Sequence, residues 1–170
     1  MKGAAPFILT AELPVDLARW ATGLRQEHFP IERNFLPAHV TLFHSLPPSA
    51  HGEIKRALAQ EVAENSPVEA ILEGLMPLGK GTALKITSPG MVEVWQRLAD
   101  RFHGLLTPQD EHEPRLHVTI QNNVSIETAR ALQQKLAPLI EPRPFNFAGL
   151  GLYIYRGGPW ELARTYPFRR

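Results

Sequence analysis

The chain has 170 residues, 44% of them apolar, and a formal charge of +1 from 18 Lys and Arg against 17 Asp and Glu. That length holds a sizeable core, and the near-neutral balance excludes a broad electrostatic footprint for duplex nucleic acid. The absence of cysteine excludes disulfides, thiolate catalysis and cysteine-bound zinc, and no apolar run reaches membrane-spanning length.

The start, Met1 to Pro6, has no long apolar stretch of the signal-peptide kind, so a cytoplasmic location without membrane attachment is expected. Residues 7–13 read as a strand stopped by Pro14, and residues 15–27 as a helix with Leu17, Trp20, Ala21 and Leu24 at helical spacing. Pro37 then sets the entry to a second strand. Ser49 reads as the cap of a helix over residues 50–64. Residues 68–75 form a strand, and Gly79-Lys80-Gly81 turns it into another over residues 82–87. Ser88-Pro89 opens a helix with Val92, Trp95, Leu98, Ala99 and Phe102 on one stripe. A polar loop follows over residues 105–114, then a strand, then a helix over residues 126–139 capped by Ser125. A strand over residues 145–155 and a turn at Arg156 to Pro159 lead to a last strand over residues 160–165.

Two of these strands carry nearly the same text: Ala38-His39-Val40-Thr41-Leu42-Phe43 and Leu116-His117-Val118-Thr119-Ile120-Gln121. Side chains alternate along a strand, so His39 and Thr41 share one face, as do His117 and Thr119, while the valines anchor the other. By the same alternation Phe43 and Gln121 fall on the His-x-Thr faces, and His44 falls off its face. Two such strands meeting across a groove offer a general base, a general acid and two hydroxyl donors around one anion. That is the equipment of phosphodiester chemistry: an imidazole exchanges protons near neutral pH, and hydroxyl donors meet the charge that grows on non-bridging oxygens.

The layout repeats. His strand, helix, strand with Gly-Leu, glycine hairpin and strand occur twice, with Gly74-Leu75 in the first copy and Gly149-Leu150 in the second. The expected fold is α+β: a bilobed, pseudo-twofold duplicated arrangement with an antiparallel sheet in each lobe, helices outside and a central groove. Residues 1–170 are expected to form a single domain of two interleaved lobes. No coiled-coil pattern compels association, so a monomer is expected.

With both motifs in place, the chain resembles the 2H phosphoesterases, and within them the 2′-5′ RNA ligase group that includes 2′,3′-cyclic phosphodiesterases. The resemblance runs from the opening Phe7 to Pro14 through both motifs to the closing Trp160 to Pro167. It implies that His39 and His117 are the catalytic pair and that Thr41 and Thr119 hold phosphate oxygens. It implies a metal-independent phosphodiesterase that opens the 2′,3′-cyclic phosphate of an RNA terminus or nucleotide to a 2′-phosphate, with reversible 2′-5′ ligation as its energetic reverse. No cofactor is expected.

Alternation and sequence position nominate further substrate contacts. Phe43 is a candidate for stacking on a base, Gln121 for hydrogen bonding, Tyr153 and Tyr155 for aromatic contacts, and Lys85 and Arg115 as cations near the phosphate. The competing reading of paired histidines is a metal site. Neither His-x-His nor His-Glu-x-x-His occurs, and Glu111-His112-Glu113 lacks a framework, so no metal is expected. Gly79, Gly81, Gly157 and Gly158 make no phosphate-binding loop and read as hairpin turns needing positive φ. Two rival functions stay open: a phosphodiesterase for 2′-5′ oligoadenylate or an ADP-ribose cyclic phosphate, and a non-catalytic RNA- or nucleotide-binding module.

Overall fold

The computed structural model describes residues 4–34 and 36–170. Its strands are β1 (Phe7–Glu12), β2 (Val40–Leu46), β3 (Val68–Pro77), β4 (Thr82–Thr87), β5 (His117–Gln121), β6 (Arg143–Phe147), β7 (Gly149–Ile154) and β8 (Glu161–Pro167). The helices are α1 (Val15–His28), α2 (His51–Glu64), α3 (Pro89–Arg101) and α4 (Ile126–Leu136). Caps explain two of the helix starts. Ser88 accepts from the Met91 N–H at 3.2 Å with Pro89 behind it, and Ser125 accepts from the Thr128 N–H at 3.1 Å. Ser49 is not a cap: it lies inside a 3₁₀ turn, Pro48–Ala50, that leads into α2.

The strands form two four-stranded antiparallel sheets, ordered β2-β1-β7-β8 and β5-β4-β3-β6. From its His-x-Thr strand outward, each sheet takes its first two strands from one half of the chain and the next from the other. The repeat therefore starts one strand earlier than the motifs, at β1 and β4, and each sheet combines strands from both copies. Buried side chains from both sheets, including Leu9, Leu42, Leu84 and Val118, belong to one hydrophobic cluster.

The strand expected over residues 145–155 is two strands in different sheets. β6 pairs with β3 and β7 pairs with β1, so the chain crosses between sheets at Ala148. Pro144 fits because β6 is an edge strand. Of the turn glycines, Gly79 and Gly157 have φ of 80° and 93°. Gly81 is required for another reason: a Cβ there would sit 2.1 Å from the Gln121 carbonyl oxygen.

Both motif strands carry the same irregularity. Thr41 pairs with Thr10 but Phe43 pairs with Leu9, leaving Leu42 as an extra residue. Thr119 pairs with Ala83 but Gln121 pairs with Thr82, leaving Ile120 extra. A bulge of this kind puts two consecutive residues on one face and resets the alternation beyond it. Leu42 and Phe43 are both buried, as are Ile120 and Gln121.

Candidate active site

His39 and His117 sit at equivalent places, His39 immediately before β2 and His117 at the start of β5. Each ring is tethered to the carbonyl two residues earlier: His39 Nδ1 lies 2.8 Å from the Pro37 oxygen, and His117 Nδ1 lies 2.5 Å from the Arg115 oxygen. A carbonyl only accepts, so Nδ1 carries the hydrogen in both rings. Nε2 is thereby left as the atom that can take or give a proton.

His39, Thr41, His117 and Thr119 line one cleft of about 530 Å³. The ends of the β3–β4 hairpin (Met76, Pro77, Leu78) and the segment Glu113-Pro114-Arg115 complete its walls. The Trp160 ring packs against the His39 imidazole with centroids 4.6 Å apart. Burial depresses the pKa of His39 to about 4; the Pro37 carbonyl opposes this, and the charges of Arg25, His117 and His44 add to it. His39 is therefore held neutral at neutral pH, as a proton acceptor requires.

The other nominated residues divide. Arg115 lines the cleft, with Nη2 3.3 Å from the Met76 sulfur. Lys85 pairs with His117 across β4 and β5, but its side chain is exposed on a neighbouring apolar cavity of about 680 Å³ that Arg115 also lines. Tyr155 is exposed and lines a third cavity, beside Trp160. Tyr153 does not line the cleft: its hydroxyl donates to Glu12 Oε1 at 3.0 Å, and burial beside that carboxylate pushes it up to about 12.

Phe43 and Gln121 are not at the groove, because the bulges turn both inward. Phe43 stacks on Trp95 at 5.9 Å and meets Phe102 edge-on at 5.8 Å. Gln121 accepts from the Thr82 hydroxyl at 3.0 Å. The β2 bulge has the converse effect on His44, which lines the cleft instead of facing away from it. Asp110, 2% exposed, fixes this residue: its carboxylate accepts from the backbone N–H groups of His44 and Ser45 at 2.8 to 2.9 Å, and from His44 Nδ1 at 3.1 Å.

Arg25, which the motifs do not announce, lies buried behind the cleft and braces the second motif strand. It is 3% exposed, donates from Nε to the Leu36 oxygen at 3.1 Å and from Nη1 to the Thr119 oxygen at 2.7 Å. Its signal lies in spacing, since Leu17, Ala21 and Arg25 recur every four residues on the buried face of α1 while Trp20 is exposed. Among the described residues no three His, Asp or Glu side chains gather as a metal-binding group. None of the described helices is long and apolar enough to cross a membrane.

The duplicated sheets and the paired motifs find their counterpart in a family model described as the 2′-5′ RNA ligase superfamily, which matches residues 13–159. The chain belongs to the 2′-5′ RNA ligase superfamily, among the 2H phosphoesterases. Solved structures agree with that superfamily's fold. The TT0787 protein of Thermus thermophilus superposes with a TM-score of 0.68 at 15% identity, over 96% of this chain and 98% of that one. E. coli LigT complexed with NADP+ gives 0.65 at 13% identity, over 99% and 100%. LigT complexed with 3′-AMP gives 0.59 at 18% identity, over 98% and 99%. At these identities the likeness is one of fold. No curated protein matches the chain.

Proposed function

We propose that this chain is a metal-independent phosphodiesterase that opens the 2′,3′-cyclic phosphate of an RNA end or nucleotide to a 2′-phosphate. The observation that carries the reading is the matched pair of imidazoles in one cleft, each tethered through Nδ1 and each followed by a threonine two residues on. The nucleotides bound in the LigT structures, NADP+ and 3′-AMP, support a nucleotide as the ligand class.

In this reading His39 is the base, because its low pKa keeps Nε2 unprotonated. His39 Nε2 takes a proton from water as the water oxygen bonds to phosphorus. The bond from phosphorus to the 3′ oxygen breaks, and protonated His117 gives its Nε2 proton to that oxygen. Thr41 and Thr119 donate to the non-bridging oxygens, where negative charge builds up. Arg115 adds a cation at the rim. The 2′ regiochemistry rests on family resemblance.

The test is incubation of the purified protein with a 2′,3′-cyclic mononucleotide and a cyclic-ended oligonucleotide in excess EDTA. Turnover to a 2′-phosphate is expected to persist. Loss of turnover on chelation, restored by a divalent ion, would contradict the mechanism. Tight product binding with no turnover would favour a binding module instead.

A further inference from the structure

We propose that the cleft continues past His44 into a second subsite, which holds the nucleotide preceding the reacting phosphate in a single-stranded oligonucleotide. This rests on the reaction assigned above and narrows its substrate from a mononucleotide to an oligonucleotide end. His44 lines both the catalytic cleft and a cavity of about 430 Å³ beyond it. Along β2 the groove face carries His39, Thr41 and then, past the bulge, His44. One strand repeat separates successive residues on a face, about 6–7 Å. The group that His44 meets is therefore one removed from the phosphate between His39 and His117.

The side cavity has the chemistry of a nucleotide rather than of a base alone. Its walls include the aromatic rings of Tyr155 and Trp160, which suit stacking on a base of any identity. They include the Arg33 guanidinium, a donor suited to a phosphate oxygen, and His44, whose Nε2 donates to such an oxygen when the ring is protonated, and no carboxylate among the described residues. The Tyr155 ring is 43% exposed and open to a ligand. Gly157 and Gly158 leave the rim without side chains. Trp160 also packs on His39, so one indole links a wall of the side cavity to a histidine of the catalytic cleft. The His44 ring does not swing freely, because Asp110 holds its Nδ1 and leaves Nε2 for the ligand.

A 2′,3′-cyclic mononucleotide has no second anion for Arg33 and His44. A second phosphate can come from an internucleotide diester or from the 5′-phosphate of a mononucleotide, and the aromatic pair favours the diester because it offers a place for a second base. Dissociation constants for three product-like probes separate these sources: adenosine 2′-phosphate, adenosine 2′,5′-bisphosphate, and the adenylyl dinucleotide ending in a 2′-phosphate. The dinucleotide is expected to bind about tenfold tighter than the bisphosphate, the scale of one base stacked on an aromatic ring. The bisphosphate is expected to bind tighter than the monophosphate.

Tyr155→Leu should weaken the dinucleotide more than the bisphosphate, and Arg33→Gln should weaken both relative to the monophosphate. Both side chains are exposed, so neither variant threatens the fold. A dinucleotide that binds no tighter than the monophosphate overturns the proposal. So does a bisphosphate that matches the dinucleotide while Tyr155→Leu is silent, since that assigns only a 5′-phosphate site. If the binding order holds but no cyclic-ended substrate turns over, the subsite stands and the assigned reaction falls.

Discussion

Arg25 of α1 donates from Nη1 to the carbonyl oxygen of Thr119 at 2.7 Å, tying the helix after the first strand to the second His-x-Thr motif. The two residues belong to different halves of the repeat. Burial lowers the guanidinium pKa to about 10, so it stays charged at neutral pH. That charge adds to the repulsion that holds His39 unprotonated. Arg25→Met removes the donors to Leu36 and Thr119 and should cost about 1–3 kcal/mol of unfolding free energy in urea. It should also raise the His39 pKa and move the acidic limb of activity to higher pH. An unmoved limb would show that the Arg25 charge does not reach His39.

The pH profile of kcat/KM follows from His39. A base must be unprotonated, and activity falls as pH drops through its pKa. That value lies near 4, with burial as the main cause, below the ordinary histidine value of about 6.5. The acidic limb in the free enzyme should therefore lie well below 6.5, read from initial rates at subsaturating cyclic nucleotide. A limb at or above 6.5 would remove His39 from the role of base.

Phe43 is core and not a platform for substrate. Phe43→Ala should cost about 3–5 kcal/mol of stability, because it opens a cavity against Trp95 and Phe102. Urea denaturation of the variant measures this directly. A loss below about 1 kcal/mol would contradict the packing described here.

Asp110 supports the β2 bulge through its bonds to His44 and Ser45. Burial raises its pKa, but these donors outweigh burial and hold the carboxyl below the ordinary range. A carboxyl depressed on folding contributes stability that is complete above its unfolded pKa, about 3.9, and is lost as pH falls through the folded value. Asp110→Asn should therefore lower stability at pH 7 by roughly 1–3 kcal/mol and flatten its fall in acid below about pH 4. Melting temperatures of both proteins across that range test the difference.

The motifs, the antiparallel strands and most helix limits were legible in the sequence because they depend on local rules. Alternation placed Thr41 and Thr119, and Ser88 and Ser125 announced their helices. Strand alternation failed at Phe43, His44 and Gln121 for one physical reason, since each lies beyond an extra residue that a bulge absorbs. Nothing in Leu42-Phe43 or Ile120-Gln121 marks a bulge locally; it arises from pairing with β1 and β4. The same limit applies to the break at Ala148, where an apparently continuous strand changes sheets. Asp110 was hidden in a polar loop, and only tertiary pairing brings it to His44.

The most direct measurement is kcat for 2′,3′-cyclic phosphate opening by His39→Ala, His117→Ala and the double variant. Each single substitution should lower kcat by about 10² to 10⁴, the usual worth of a positioned acid or base. The double variant should lose far less than the product of the two, because acid and base act in one step. If either single variant keeps kcat within about threefold of the unmodified protein, the two imidazoles are not an acid/base pair on a single phosphorus.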